Sequence, residues 1–326
     1  MTQHFASFVQ MVTALPDDKS CREYLETQRW SGVPACPHCG VVDAAHYRLK
    51  VKGEFNGLYK CRACRERFTV LIGTMFENSP IPLRKWFIAA YLFSAHKKGI
   101  SSYQLSRDID VTQKSAWYML HRLREAFDND GHTDPMTGEV EVDETYIGGK
   151  LKNKSKKVRE AKRNQSQRED KLHGTYSNSD NKVAVMGLVE REGKVRTIKL
   201  PETTYKVITD SVEANVSKDA TLITDGHKAY TSIGKLFATH IVINHAKDEW
   251  KKGPFTTNNI EGFWSQLKRG IYGIYHHTST KHLQAYCNEF GFRYNTRKVT
   301  DKARFDIVLS QVAGAKVGYR ELVRRA

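Results

Sequence analysis

The chain has 326 residues, with 52 Lys and Arg against 36 Asp and Glu, a formal net charge of +16 at pH 7 and a pI near 9.5. A hydrophobic content of 40% excludes an intrinsically disordered chain, and no run approaches the ~18 consecutive apolar residues of a membrane span. The N-terminus lacks the basic start and small-residue cleavage site of a signal peptide, so a cytoplasmic protein with two or three domains is expected. An excess of this size points to a polyanionic partner, DNA ahead of an anionic membrane surface.

Residues 1–32 read as an N-terminal helical segment. Phe5, Phe8, Val9, Val12 and Leu15 recur at helical spacing, and Asp18 is the expected cap of a second helix. A zinc ribbon is expected over 33–76. The six cysteines include two tight pairs, Cys36/Cys39 and Cys61/Cys64, with 21 residues between them. Two residues between the thiols of each pair let both face one centre, so four thiolates close a tetrahedral zinc site. Unpaired thiols and an iron–sulfur site are the alternatives. His38 and His46 lie nearby but are not needed as ligands. Lys50, Lys52, Lys60, Arg62, Arg65 and Arg67 give the ribbon a basic surface, either for DNA or simply solvated.

Three helices follow over 80–128. Leu83, Trp86, Phe87 and Ala90 mark the first; Ser101 or Ser102 caps a short second, and Thr112 a longer third. Short helix, tight turn and capped helix is the pattern of a helix-turn-helix. Gln113, Lys114, Ser115, Tyr118 and Arg122 then form the face expected to meet DNA. An ordinary three-helix bundle is the alternative.

A polar stretch at 128–138 marks a domain boundary. The strand 139–147 contains Asp143 and Glu144 on opposite faces. Acids are unfavourable in strands, so they ask for a reason: an edge strand with solvated carboxylates, or a site. Segment 148–181 is a basic insertion loop. A hairpin over 182–200, a helix over 203–216, a strand at 221–224 ending at Asp225-Gly226, and a strand at 239–243 complete a mixed α/β order. Asp225 stands at the C-terminal end of its strand, where such folds carry function.

Thr256–Arg269 reads as a helix with Ile260, Trp264, Leu267 and Ile271 on its buried stripe. Asn258, Glu261, Ser265 and Lys268 form a second stripe beside it. Asn258 with Glu261 resembles a capping box, which needs no chemistry. A further helix over 280–292 buries Leu283, Tyr286, Cys287 and Phe290. A basic helix over 301–326, with Arg304, Lys316, Arg320, Arg324 and Arg325, ends the chain.

Asp143, Asp225 and Glu261 together suit magnesium or manganese, hard cations that take oxygen ligands and support in-line displacement at phosphorus. The knuckles C-P-H-C and C-R-A-C, G-T-M-F-E, S-A-W-Y-M-L-H-R-L-R, V-D-E-T-Y-I-G-G, D-G-H-K-A-Y, I-N-H, N-N-I-E-G-F-W-S-Q-L-K-R-G-I-Y-G and E-F-G-F-R-Y-N resemble the zinc-ribbon-bearing DDE transposases of bacterial insertion sequences. The resemblance spans nearly the whole chain. It implies a ribonuclease H-like catalytic domain over 137–300 and metal binding by Asp143 and Asp225. It also implies a homo-oligomer acting on the ends of an element and on target DNA. For the third position it offers Asn258 followed by Lys268 as a phosphate contact, whereas Glu261, with 35 residues between it and Asp225, fits DDE spacing. The competing expectations are a non-catalytic DNA-binding regulator and a nuclease without strand transfer. His245, before the key helix, is expected to orient that loop or act as a base.

Overall fold

A computed structural model describes residues 5–127, 134–149, 155–157, 159–160, 182–226, 230–315 and 317–324. The chain divides into two units: Met1–Gly131 with Thr296–Ala326, and His132–Asn295. The basic segment 148–181 lies almost wholly outside the described residues.

In the first unit, helices α1 (Phe8–Ala14) and α2 (Asp18–Trp30) precede a three-stranded antiparallel sheet, β1 (Tyr47–Val51), β2 (Glu54–Lys60) and β3 (Arg67–Phe68), in the order β1-β2-β3. The cap of α2 is Asp17, not Asp18; Asp17 accepts from the Ser20 amide at 2.7 Å, while the Ser20 hydroxyl serves the Asp17 backbone. Asp18 instead accepts the Arg84 amide at 2.8 Å, at the start of α3 (Leu83–Ala95). On α1 the expected stripe is rotated: Met11, with Phe5 and Leu15 at its flanks, is buried, while Val9 is 72% exposed. Helices α4 (Ser102–Asp108) and α5 (Gln113–Glu125) follow, capped by Ser101 and Thr112 as their sequence leads one to expect.

The end of the chain belongs to this unit rather than standing apart. The Phe305 ring of α10 (Asp301–Ser310) meets those of Phe5, Tyr24, Phe87 and Tyr91, all at centroid distances between 5.7 and 6.2 Å. Arg304, expected on a basic surface, is 6% exposed. Its guanidinium donates to the Thr296 and Val299 carbonyls and to Asp301, and reaches the Ser94 carbonyl of α3 at 3.4 Å. Burial is tolerated because nearly every donor of that fork finds an acceptor.

The second unit is built on a five-stranded mixed sheet of order β6-β5-β4-β7-β8. Its strands are β4 (Glu139–Gly148), β5 (Lys182–Glu190), β6 (Val195–Lys199), β7 (Thr221–Asp225) and β8 (Thr239–Ile243). β4, β5 and β6 pair antiparallel; β4, β7 and β8 pair parallel. This arrangement is consistent with the ribonuclease H-like architecture that the motifs imply.

The period-2 alternation of β4 splits its side chains between two cores. Val140 and Val142 join Leu188, Leu222, Ile233 and the helix α6 (Tyr205–Glu213), with Tyr230 at the start of α7 (Tyr230–Ile233). Ile147 on the other face joins Ile260, Trp264, Leu267 and Ile271, the predicted stripe of α8 (Asn258–Gly270) and its π-helical continuation, together with α9 (Leu283–Asn295).

Gly187 of β5 fixes how close α8 lies. A Cβ there would stand 2.6 Å from both Ile260 Cδ1 and Trp264 Cζ2. The helix therefore rests on bare backbone at the position paired with Asp143. Replacing Gly187 by Ala is expected to lift α8 and cost about 1–3 kcal/mol, read as a lower urea midpoint at unchanged m-value.

Candidate active site and zinc centre

In the ribbon the four cysteine sulfurs lie within 4.8 Å of one another. Cys36 and Cys64 are 3.7 Å apart, and Cys39 and Cys61 3.6 Å. Four sulfurs at ~2.3 Å from a tetrahedral zinc stand about 3.8 Å from one another, so the donor set fits zinc in kind and in spacing. The two knuckles are built alike. The Gly40 amide donates to the Cys36 carbonyl at 2.9 Å and the Arg65 amide to the Cys61 carbonyl at 3.2 Å. Both closing residues have left-handed backbone, Gly40 at φ 75° and Arg65 at φ 67°. Glycine signals that turn in the sequence; arginine does not, because nothing in its side chain prefers φ above zero.

Both nearby histidines are occupied elsewhere. His46 is buried, its Nε2 3.1 Å from the Val41 carbonyl and its Nδ1 accepting the Arg62 amide at 3.3 Å. His38 Nε2 lies 3.2 Å from the Arg67 carbonyl.

In the second unit the last parallel pair of β4 and β7 is Val142 with Thr224. The next residues outward, Asp143 and Asp225, are therefore neighbours. Asp143 faces α8, whose Trp264 indole N–H donates to Asp143 Oδ2 at 2.9 Å. Burial first, and then the charge of Asp225, push the Asp143 carboxyl up to about 6; Glu261 pushes the same way. The charges of the other two predicted acids thus both act on Asp143. Their oxygens do not close as tightly as the thiols: among the described residues only the cysteines form a group of three or more candidate ligands within 4.8 Å.

Glu144 points to the other face, where the Tyr230 hydroxyl donates to it. Burial, with Asp143 and Asp225 adding, raises it to about 7. Its role is therefore in the opposite core.

Sequence pattern missed the anchoring residue, Glu141. This carboxylate is 1% exposed and lies two residues before Asp143, on the same face of β4. It accepts the Ile260 amide at 2.9 Å and the Asn259 side-chain amide at 2.7 Å, so β4 itself supplies the N-terminal cap of α8. The period-2 spacing of Glu141 and Asp143 is the signal that would have found it. Asn258 is accordingly not the N-cap. Thr257 holds that position, and its hydroxyl donates to Glu261 Oε1 at 2.9 Å. His245 Nε2 completes the cluster, 3.2 Å from Thr257 Oγ1 and 3.5 Å from Glu261 Oε1. Asn258 is exposed at the first turn, and Lys268 is half-buried two turns beyond Glu261 on the same side of α8.

The face of α5 expected to be open is largely engaged within the first unit. Tyr118 Oη and Arg122 Nε both donate to the Val317 carbonyl at 3.1 Å, and Arg122 also donates to the Met75 carbonyl. The Lys114 ammonium sits 4.5 Å from the centre of the Tyr319 ring, at the start of α11 (Tyr319–Arg324). Gln113 donates to Ser102 Oγ at 2.8 Å, and Ser115 is tied to the Thr112 cap. The three helices are present, but a returning C-terminal segment covers this face. Sequence reading treated that segment as separate.

No helix among the described residues is long and apolar enough to cross a membrane.

Two outcomes follow. Chelation is expected to release about one zinc ion per chain and to unfold the ribbon, with Cys39→Ser losing the metal without chelator. Zinc content and the ribbon's thermal transition check this. Asp143 and Glu144 titrate higher folded than unfolded, so the native state keeps protons that the unfolded chain has lost. Stability should therefore fall as pH rises from about 4 to about 7, and Asp143→Asn should flatten that slope. Urea midpoints at about pH 5 and about pH 8 read it out.

Residues 135–295 match the ISXO2-like transposase domain, and residues 16–67 match the transposase zinc-ribbon domain. An uncharacterised protein of the transposable element ISH50 from Halobacterium salinarum is 28% identical over 286 residues, covering 86% of this chain and 92% of that protein. No solved structure gives a significant match. The four-thiol knuckles and the acid-bearing mixed sheet thus lie in two recognised modules: the chain carries a transposase zinc-ribbon domain followed by an ISXO2-like transposase domain, the pairing of the insertion-sequence transposases that its motifs resemble.

Proposed function

We propose that this transposase cleaves DNA strands at the ends of its element and joins the freed 3′-hydroxyls to target DNA, using divalent magnesium or manganese. The observation that supports the reading is that Asp143 and Asp225 follow the paired Val142 and Thr224 on adjacent strands, and that the charges of Asp225 and Glu261 both raise the cost of ionising Asp143. Carboxylates gathered this way repel one another, and a hard divalent cation relieves that repulsion. Asp143 and Asp225 would hold the metal, with Glu261 as the third ligand. Bound there, the cation supplies activation of the attacking oxygen and stabilisation of the leaving one.

The rest belongs to this chain. Trp264 fixes the orientation of Asp143, and Thr257 with His245 orients Glu261. Lys268 stands on the Glu261 side of α8 and serves as a phosphate contact. Glu261 is preferred to Asn258 because its charge acts on Asp143, whereas Asn258 lines a concavity with Lys247 and Trp250. A non-catalytic regulator would leave the converging acids without a use.

The charge of +16 and the zinc ribbon support DNA binding. Contact through Gln113, Lys114, Ser115, Tyr118 and Arg122 would require the segment around Val317–Tyr319 to move aside. Assembly as a homo-oligomer on DNA and a cytoplasmic location complete the proposal.

Asp143→Asn, Asp225→Asn and Glu261→Gln are each expected to cut metal-dependent cleavage of element-end DNA at least about 100-fold, with thermal unfolding in the absence of metal largely preserved. Asn258→Ala should do less. Full activity in the three acid variants sinks the assignment, and cleavage by the wild type without joining selects a nuclease.

A further inference from the structure

Loop 244–257, between β8 and α8, holds its largest aromatic side chain in water. Trp250 is 63% exposed, and it alone of the five tryptophans is exposed. An indole carries a large hydrophobic surface, so keeping it outside any core forgoes stabilisation that burial would give.

The loop is hydrogen-bonded into this shape. Asp248 adopts left-handed backbone at φ 56° and its amide returns to the His245 carbonyl at 3.2 Å. The Glu249 amide donates to the Asn244 carbonyl at 3.2 Å, and Glu249 Oε2 accepts the Asn244 amide at 3.3 Å. Beyond the indole, Lys252 and Phe255 exchange backbone hydrogen bonds of 3.0 and 3.1 Å around Gly253. The tryptophan is thus presented by a fixed turn.

The indole packs against the His245 ring, with centroids 4.9 Å apart. Beside it opens a concavity of about 780 Å³ lined by Lys247, Asp248, Glu249, Lys251, Thr256 and Asn258 together with Trp250 itself. Asn258 begins the helix that carries Glu261, and His245 is the residue that approaches Glu261. The exposed ring therefore stands one side chain away from the acid cluster.

We propose that Trp250 is a stacking platform for an unpaired nucleobase of the DNA strand engaged at this site, with Lys247 and Lys251 meeting its phosphates. The proposal rests on the strand-cleavage reading for its strand, but its chemistry stands on the loop. An aromatic face accepts any base, and flanking ammonium groups hold the backbone without reading sequence. Paired bases in a duplex stack on each other and offer an indole no face, so the ligand is a base out of the stack. An apolar protein partner would have no use for ammonium groups on either side of the ring.

The test uses the full chain and a single-stranded thymidine oligonucleotide, with a base-free oligonucleotide of equal length as control. Tryptophan fluorescence should be quenched on binding, and Trp250→Ala should lose that quenching and bind at least about 10-fold more weakly. Trp250→Phe should recover most of the affinity, and thermal melting should report an intact fold in both. The base-free chain should bind wild type and Trp250→Ala alike. Equal affinity of wild type and Trp250→Ala for the thymidine chain overturns the platform. So does a wild type that binds the base-free chain as tightly as the thymidine chain, since phosphates alone would then account for binding. Asp143→Asn should retain this binding, so absence of cleavage, which defeats the strand-cleavage reading, leaves the binding result standing. Loss of the platform likewise leaves wild-type cleavage to be judged by itself.

Discussion

The candidate site depends on how tightly α8 is fastened to β4. Helix dipole and orphan amides make the N-terminus of any helix a place for negative charge, and Glu141 places a buried carboxylate there from the neighbouring strand. A charge-assisted hydrogen bond in a dry setting is stronger than its solvated equivalent, and leaving either partner unmade would cost more still. One turn along, the Trp264 N–H meets Asp143. The two contacts, from residues two apart on one face of β4, fix both the height and the rotation of α8. Glu261 can approach the strand acids because that rotation is set.

Gly187 belongs to the same constraint from the adjoining strand. Its missing side chain lets Ile260 and Trp264 lie against the backbone opposite Asp143. A sheet with a full complement of side chains would hold the helix further off, and the indole N–H would fall short of the carboxylate. Packing density and the geometry of the candidate site are thus one requirement here: the steric gap in β5 and the hydrogen bond to β4 work through the same tryptophan.

Much of this was legible in the sequence because it is local. The i, i+4, i+7, i+11 stripe of α8 is buried as its periodicity requires, and the cysteine spacing predicts the sulfur cluster. Asp225 ends its strand, and β4 divides Asp143 from Glu144 by simple alternation. What escaped depends on partners distant in the chain. Glu141 gains its meaning from an amide 119 residues away. The C-terminal segment looked like a separate basic helix because charge is visible in a sequence, whereas the burial of Arg304 and the rings around Phe305 are not. The same blindness made α5 look open: an outward polar stripe is indistinguishable from one that donates to a carbonyl 195 or 199 residues on.

The two acids of β4 differ in what their burial serves. Glu144 is raised by burial in an apolar core, and the Tyr230 hydroxyl that donates to it eases its ionisation, so it is accommodated without needing a cation. Asp143 has N–H donors too, but the charges of Asp225 and Glu261 act against its ionisation, and Glu261 is half exposed. Desolvation combined with like charge is a poor arrangement for stability alone, since a buried carboxylate is best left neutral or paired. A fold that holds Asp143 rigidly, places Asp225 beside it and brings Glu261 within range accepts that cost at one end of its sheet. Under the proposed function, a divalent cation bound there would turn the same repulsion into affinity, and rigidity and charge crowding would serve one purpose at this end of β4.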